Sequence, residues 1–287
     1  MPTPDHSSEQ ALPAQALSVM EALSASKKYG TLCPALVARI CAEEASKFKR
    51  DKERIHAAKN RLHQVYGAFL TVGNLQRAEA ALGMLERGEC DLPTTSRTIL
   101  SLHASTAERL PSLSAMCAFL REHLGAITSL QDIGCGMHPF SFPFLGIPTL
   151  RAYHAFDVNL QAVSLINRFF AAVGLPPLAK ALDVVTQTPQ VVTDAALLMK
   201  LLPVLDAQRK GCAHSLLRDV RARKLVVTFP TKSLSGREKG MGATYATAFE
   251  AGLDAALRVE AKATFGSELV YIVAKNMEEE VPCCIER

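Results

Sequence analysis

The residues best suited to chemistry are Asp132-Ile-Gly134-Cys-Gly136-Met-His138, at the end of an apolar run. Two glycines two positions apart let the backbone turn tightly and approach a ligand with no Cβ in the way. Asp157 stands 21 residues past Gly136, at the end of a second apolar run, where a carboxylate accepts both hydroxyls of a ribose. Asp183 lies near the end of a third, within reach of an adenine amine. Three acids in register point to a nucleoside site more specifically than Gly-x-Gly alone, which equally marks a plain turn. Asp157 and Asp183 also suit helix N-caps, Asp132 a brace for the loop, and His138 a cap for the following turn.

Two cofactor classes compete for this pattern. The nicotinamide fingerprint needs a third glycine three residues after Gly136, and Pro139 stands there. The Asp/Glu-x-Gly-x-Gly form of S-adenosylmethionine sites fits better, with His138 where its third glycine usually stands. A second element, Thr228-Phe-Pro-Thr-Lys-Ser-Leu-Ser-Gly-Arg-Glu-Lys-Gly-Met241, leaves an apolar run, KLVVTF. Its Lys232, Arg237 and Lys239, among glycines, suit a phosphate-bearing substrate beside the cofactor. Between Lys47 and Arg61 stand seven basic residues and two acidic ones, which make either a phosphate-tracking face or an ordinary solvated one. Val191-Val-Thr-Asp194 stands where enzymes of exocyclic amines often carry Asn/Asp-Pro-Pro-aromatic, and no cysteine context suggests a covalent pyrimidine mechanism. A ring nitrogen with a free lone pair, such as guanine N7, needs neither device, only in-line positioning.

The elements that must hold these residues change character along the chain. The first hundred residues carry apolar stripes at helical spacing, among them Ile55, Ala58, Leu62, Val65 and Phe69, then Leu75, Ala78, Leu82 and Leu85 with Asn74 as a candidate cap. After another helix around Leu113–Leu124, short apolar runs alternate with helical stretches. Strands are expected at 127–133, 150–157, 178–185, 191–195 and 224–229. Helices are expected at 161–173, 199–208 and 241–257, and a closing hairpin at 259–265 and 268–275. Alternation of this kind predicts an α/β fold with a mostly parallel sheet that binds ligands at the carboxyl ends of its strands. The expected division is a helical bundle, 1–105, followed by a Rossmann-like domain, 106–287.

Composition sets the outer limits. Apolar residues form 48% of the 287, enough for a sizeable core, and 21% are charged, which argues against a mostly disordered chain. A net charge of +4 permits a local basic face without demanding nucleic acid. Eight cysteines without a CxxC or zinc-ligand spacing predict reduced thiols in a cytoplasmic protein and no metal site. No apolar run approaches the length of a membrane span, and the first ten residues lack the layout of a signal peptide.

Several stretches together carry a resemblance: SKKYGTLCP, KNRLHQVYGAF, LHASTAERL, DIGCGMHPF, DVVTQTP and VVTFPTKSLSGREKGM. The chain resembles the aminoglycoside-resistance 16S rRNA (guanine-N7) methyltransferases from Ser26 to Lys275. The resemblance implies a class I S-adenosylmethionine-dependent fold with a seven-stranded sheet, and an all-helical N-terminal domain that docks on the 30S subunit. It implies S-adenosyl-L-methionine as cofactor, S-adenosyl-L-homocysteine as product, 16S rRNA as partner, no membrane and a monomer. The cofactor site would be His103, Ser105, Arg109, Asp132, Gly134, Gly136, Asp157, Asp183, Val184, Met199 and Gln208, with Arg109 on the methionine carboxylate. Lys200, Lys232, Ser235, Arg237 and Met241 would hold RNA or the target base, and Lys27, Lys28, Arg54 and Arg61 would contact phosphates. A methyltransferase of small molecules with a helical lid is the alternative, but it leaves the basic N-terminal run without a role.

Overall fold

In the computed structural model, which describes residues 13–26, 28–67, 71–231 and 241–276, the chain divides into two compact units, 1–68 and 69–287. The first is helical: α1 (Ala14–Ser24), α2 (Pro34–Ala45) and α3 (Asp51–Leu62), the last continuing into a wider turn at His63–Gly67. Ala16, Val19, Leu23, Leu36, Ile40, Ala58 and Leu62 are buried at helical spacing and form its core. Pro34 opens α2 at a position where its missing N–H costs nothing.

The second unit begins with four helices: α4 (Val72–Glu86), α5 (Leu92–Leu100), α6 (Ala104–Arg109) and, after a short turn, α7 (Leu113–Leu124). The sequence reading placed the first two, α4 and α5, in the first domain. Leu75, Ala78 and Leu82 of α4 and Ile99 of α5 belong to the same buried cluster as Phe169 and Phe170, and Glu86 pairs with Arg168 at 2.5 Å. The packing therefore divides the chain at 68/69, ahead of the expected 105/106. Asn74 does not cap α4. Thr71 does, its hydroxyl accepting from the Asn74 N–H, while the Asn74 side chain donates to Leu102 O at 2.8 Å.

The remaining elements are β1 (Ser129–Ile133), α8 (Phe142–Leu145), β2 (Ala152–Asp157), α9 (Leu160–Ala172), β3 (Ala179–Ala181) and β4 (Thr193–Met199). They continue with α10 (Leu202–Gln208), α11 (Cys212–Asp219), β5 (Ala222–Pro230), α12 (Met241–Ala251), β6 (Leu257–Phe265) and β7 (Glu268–Lys275). One seven-stranded sheet results, in the order β3, β2, β1, β4, β5, β7, β6, parallel except for β7. One apolar cluster gathers Phe140, Phe169 and Leu130, and another Leu198, Val227 and Tyr271. The α/β expectation holds, and the hairpin falls almost where the alternation put it. Three ends move furthest. The third strand shrinks to Ala179–Ala181, because it is an edge strand paired only with β2. The expected 241–257 helix stops at Ala251, and Leu257 opens β6. The fourth strand runs on to Met199, because it is central and pairs with both β1 and β5. This last change takes Lys200 out of the expected helix and sets it at a strand end. The chain reverses its order between β1 and β4, so the crevice outside those two strand ends is where such sheets take ligands.

Candidate active site

The glycine turn follows β1. Gly134 and Gly136 have φ of 64° and 51°, a region that glycine enters without strain. Their own neighbours also demand glycine. A Cβ on Gly134 would stand 2.6 Å from Leu201 Cδ1, and one on Gly136 2.9 Å from His103 Nε2. The turn is thus packed between the segment after β4 and the start of α6.

Asp157, half-buried at the end of β2, straps this turn to the next helix. Its Oδ2 accepts from Gly136 N and its Oδ1 from Asn159 N, both at 2.9 Å. Burial pushes its carboxyl up against these amides. The Val158 amide also bears on it, and the acceptor capacity that remains fits the one expected for a ribose. Asn159, not Asp157, caps α9, through Gln161 N and Ala162 N. Asp132 holds the turn from beneath. It is fully buried, and its Oδ2 takes the Tyr153 hydroxyl at 2.8 Å and His138 Nδ1 at 2.7 Å. His138 is therefore the partner of a buried acid. Asp183 is buried in a tight turn, its Oδ1 accepting from Val185 N at 3.2 Å. Arg209, next to Gln208, donates to Val185 O at 3.3 Å and so brings the end of α10 to that turn.

A second cluster lies beside the first. Arg109, at the end of α6, and Glu268, the first residue of β7, form a buried two-pronged pair at 2.8 and 3.0 Å. Thr228 of β5 donates to Glu268 at 2.5 Å, and Lys200 Nζ stands 2.7 Å from Glu108 and 3.8 Å from Glu268. Burial alone would raise the Glu268 carboxyl, but Arg109, Lys200 and Thr228 outweigh it and hold it below the usual range. His103 is driven the other way, down to about 4, by burial and then by the Arg109 and Lys200 cations. It is neutral near pH 7 and a weak base. Burial, with Asp157 and Asp132 nearby, pushes the Cys135 thiol well up, so it is no nucleophile.

The model of the ribosomal RNA methyltransferase (FmrO) family matches residues 25–272. The chain belongs to that family. A 16S rRNA (guanine(1405)-N(7))-methyltransferase of Serratia marcescens is 37% identical over 259 residues, covering 90% of this chain and 97% of that protein. Among solved structures, the 16S rRNA methyltransferase RmtF in complex with S-adenosyl-L-homocysteine superposes with a TM-score of 0.82 at 37% identity, over 92% of this chain and 100% of that one. The 16S rRNA methylase RmtB follows with 0.78 at 32%, again over 92% and 100%.

In this ribosomal RNA methyltransferase the strand ends bring several of the expected site residues together. His103, Gly134, Gly136 and Asp157 meet at the glycine turn, Arg109 and Lys200 meet at Glu268, Met199 pairs with Thr228 at the end of β4, Ser105 is half-buried on α6 and Val184 follows Asp183. Lys232, Ser235, Arg237 and Lys27 lie outside the described residues, and Met241 opens α12. In the helical unit Lys28 is exposed, 3.4 Å from His63 Nδ1, and Arg61 is half-buried. Arg54 is a correction. It is buried, and its guanidinium donates to Ala45 O, Phe48 O, Asp51 and Gln15, so it closes the α2–α3 loop and has little left for a phosphate. The strand-end cluster also includes Glu268, Glu108 and Leu201, which the sequence reading did not single out, and Thr228, which it named only as the start of the basic element. A signal existed for Glu268: a single acid leading the uninterrupted apolar run Leu269–Ala274.

Proposed function

We propose that this protein methylates N7 of a guanine in the decoding-site helix of 16S rRNA, within the assembled 30S subunit. The modification would confer resistance to the 4,6-disubstituted deoxystreptamine aminoglycosides. The observation that carries the reading is a relative of that activity, 37% identical over 90% of the chain. The chemistry of the strand-end site agrees with it. Guanine N7 has a lone pair and no proton to lose, so its methylation needs position more than base catalysis. The described part of the site offers no strong base: His103 is held at about 4.

Bound S-adenosylmethionine supplies a methyl group made electrophilic by its sulfonium. Gly134 would line its methionine part, Asp157 would hold the ribose, Asp183 with Val184 the adenine, and Met199 and Gln208 would flank the pocket. Arg109, with His103 and Ser105, would face the methionine end, although its Nε and Nη2 are already given to Glu268. Lys200, Lys232, Ser235, Arg237 and Met241 would hold the target, flipped from its helix because a duplex hides its bases. The helical N-terminal part would dock on the subunit in the cytoplasm, reading shape and phosphates through Lys27, Lys28 and Arg61.

The test is transfer of radiolabelled methyl to purified 30S subunits, with the modified base mapped by strand cleavage at N7-methylguanine. One labelled guanine in the decoding-site helix is expected. Absence of label, despite cofactor binding measured by calorimetry, overturns the substrate and moves the search to small acceptors.

A further inference from the structure

Lys200 is the one residue other than glycine with positive φ, 55°, among the described residues. Side chains rarely adopt this conformation, and it persists where surroundings fix it. Two hydrogen bonds in series do so here. The Lys200 N–H donates to Thr228 Oγ1 at 2.9 Å, and the Thr228 hydroxyl donates to Glu268 Oε1 at 2.5 Å. The order is forced. An ionised carboxylate only accepts, so the single hydroxyl proton goes to Glu268 and its lone pair remains for the amide. Thr228 is fully buried and Glu268 2% exposed, so water does not replace either bond.

The left-handed turn has two outputs. On one side the Lys200 ammonium reaches Glu108 at the mouth of the site. On the other, Leu201 is set against Gly134, close enough that a Cβ there would stand 2.6 Å from it. One turn thus aims a cation and braces the glycine loop.

We propose that Thr228 and Glu268 are positioning residues: they clamp the left-handed turn at Lys200 and through it set Lys200 and the Gly134 loop for methyl transfer. The catalytic part of this inference rests on the function proposed above, whereas the conformational part stands without it. Thr228→Val keeps the shape and removes both bonds; Thr228→Ser keeps both. In Thr228→Val, hydrogen exchange at the Lys200 amide should quicken by about tenfold or more, the loss of one buried hydrogen bond. The same variant should lose about tenfold in kcat at saturating 30S subunits and cofactor. Thr228→Ser should restore both to near the parent values, which a general loss of stability would not predict. If Thr228→Val does not fold, Thr228→Cys, with a poor acceptor, replaces it. Unchanged exchange at Lys200 overturns the clamp. Altered exchange with unchanged kcat overturns its part in the reaction. A parent protein that methylates no 30S subunit sinks the proposed function instead, and the exchange measurement still decides the clamp.

Discussion

On α3, Lys52 and Lys59 stand in solvent while Arg54, on the same helix, is buried against two carbonyls, Asp51 and Gln15. At the strand ends Arg109 and Lys200 are both largely enclosed and both committed to acids, Glu268 and Glu108. The two regions look alike in sequence, since each offers cations where an RNA substrate would want them. Partners separate them. On α3 a cation saturated by the protein organises structure and one left in solvent is available to a phosphate, whereas at the strand ends Arg109 and Lys200 pair with acids and keep only their remaining N–H groups for a ligand.

The largest effect that would break this comparison belongs to the strand ends. Arg109→Ala strands Glu268 as a buried unpaired charge and should cost about 3–5 kcal/mol in urea unfolding. A loss below about 1 kcal/mol would mean that water or Lys200 replaces the guanidinium, and that the pair does not organise the cluster.

The acid range sharpens the same contrast. His103 is held at about 4 in the folded protein against an ordinary value near 6.5. Between those values the unfolded chain binds the proton and the folded one does not, so stability falls as pH drops from about 6.5 to about 4. The contribution is at most about 3 kcal/mol. His103→Gln should flatten the pH dependence of the unfolding free energy in that window; an unchanged slope would assign it to other groups.

The smallest effects lie on α3. Arg54→Ala should destabilise by about 2 kcal/mol, and Arg54→Lys should not restore it, because an ammonium lacks the fork that spans two carbonyls and a carboxylate. Lys52→Gln and Lys59→Gln should leave stability within about 0.5 kcal/mol. If these lysines touch phosphates, each change reduces the salt dependence of 30S affinity by about one counterion. Equal thermal midpoints for the Arg54 and Lys52 variants would erase the distinction.

Much of this was legible in the residues. KLVVTF lies inside β5, and the glycine turn with Asp157 falls where the spacing put it, because buried parallel strands require unbroken apolar runs and tight turns require glycine. The Leu197-Leu198-Met199 stretch was not readable, since a short apolar run serves a buried strand or a helix equally. Placing Lys200 therefore needed the sheet. Nor does spacing reveal pairs made across the fold: Arg109 and Glu268 are 159 residues apart, and Arg54 reaches back to Gln15. The methyltransferase family itself came from stretches such as HASTAERL and FPTKSLSGREKGM, whose specificity lies in residue order and not in any physical pattern.

The order of strands also bears on how the molecule is made. β7 is synthesised after β6, yet it lies inside the sheet between β5 and β6. A nascent chain that has emerged as far as Phe265 therefore holds β5 with a bare hydrogen-bonding edge, the kind of edge that invites wrong pairing. Arg109 and Thr228 meanwhile wait for a carboxylate that arrives only with the last strand. Vectorial synthesis thus postpones assembly of the strand-end cluster to the final stage of translation, and a chain truncated before Glu268 is left without it.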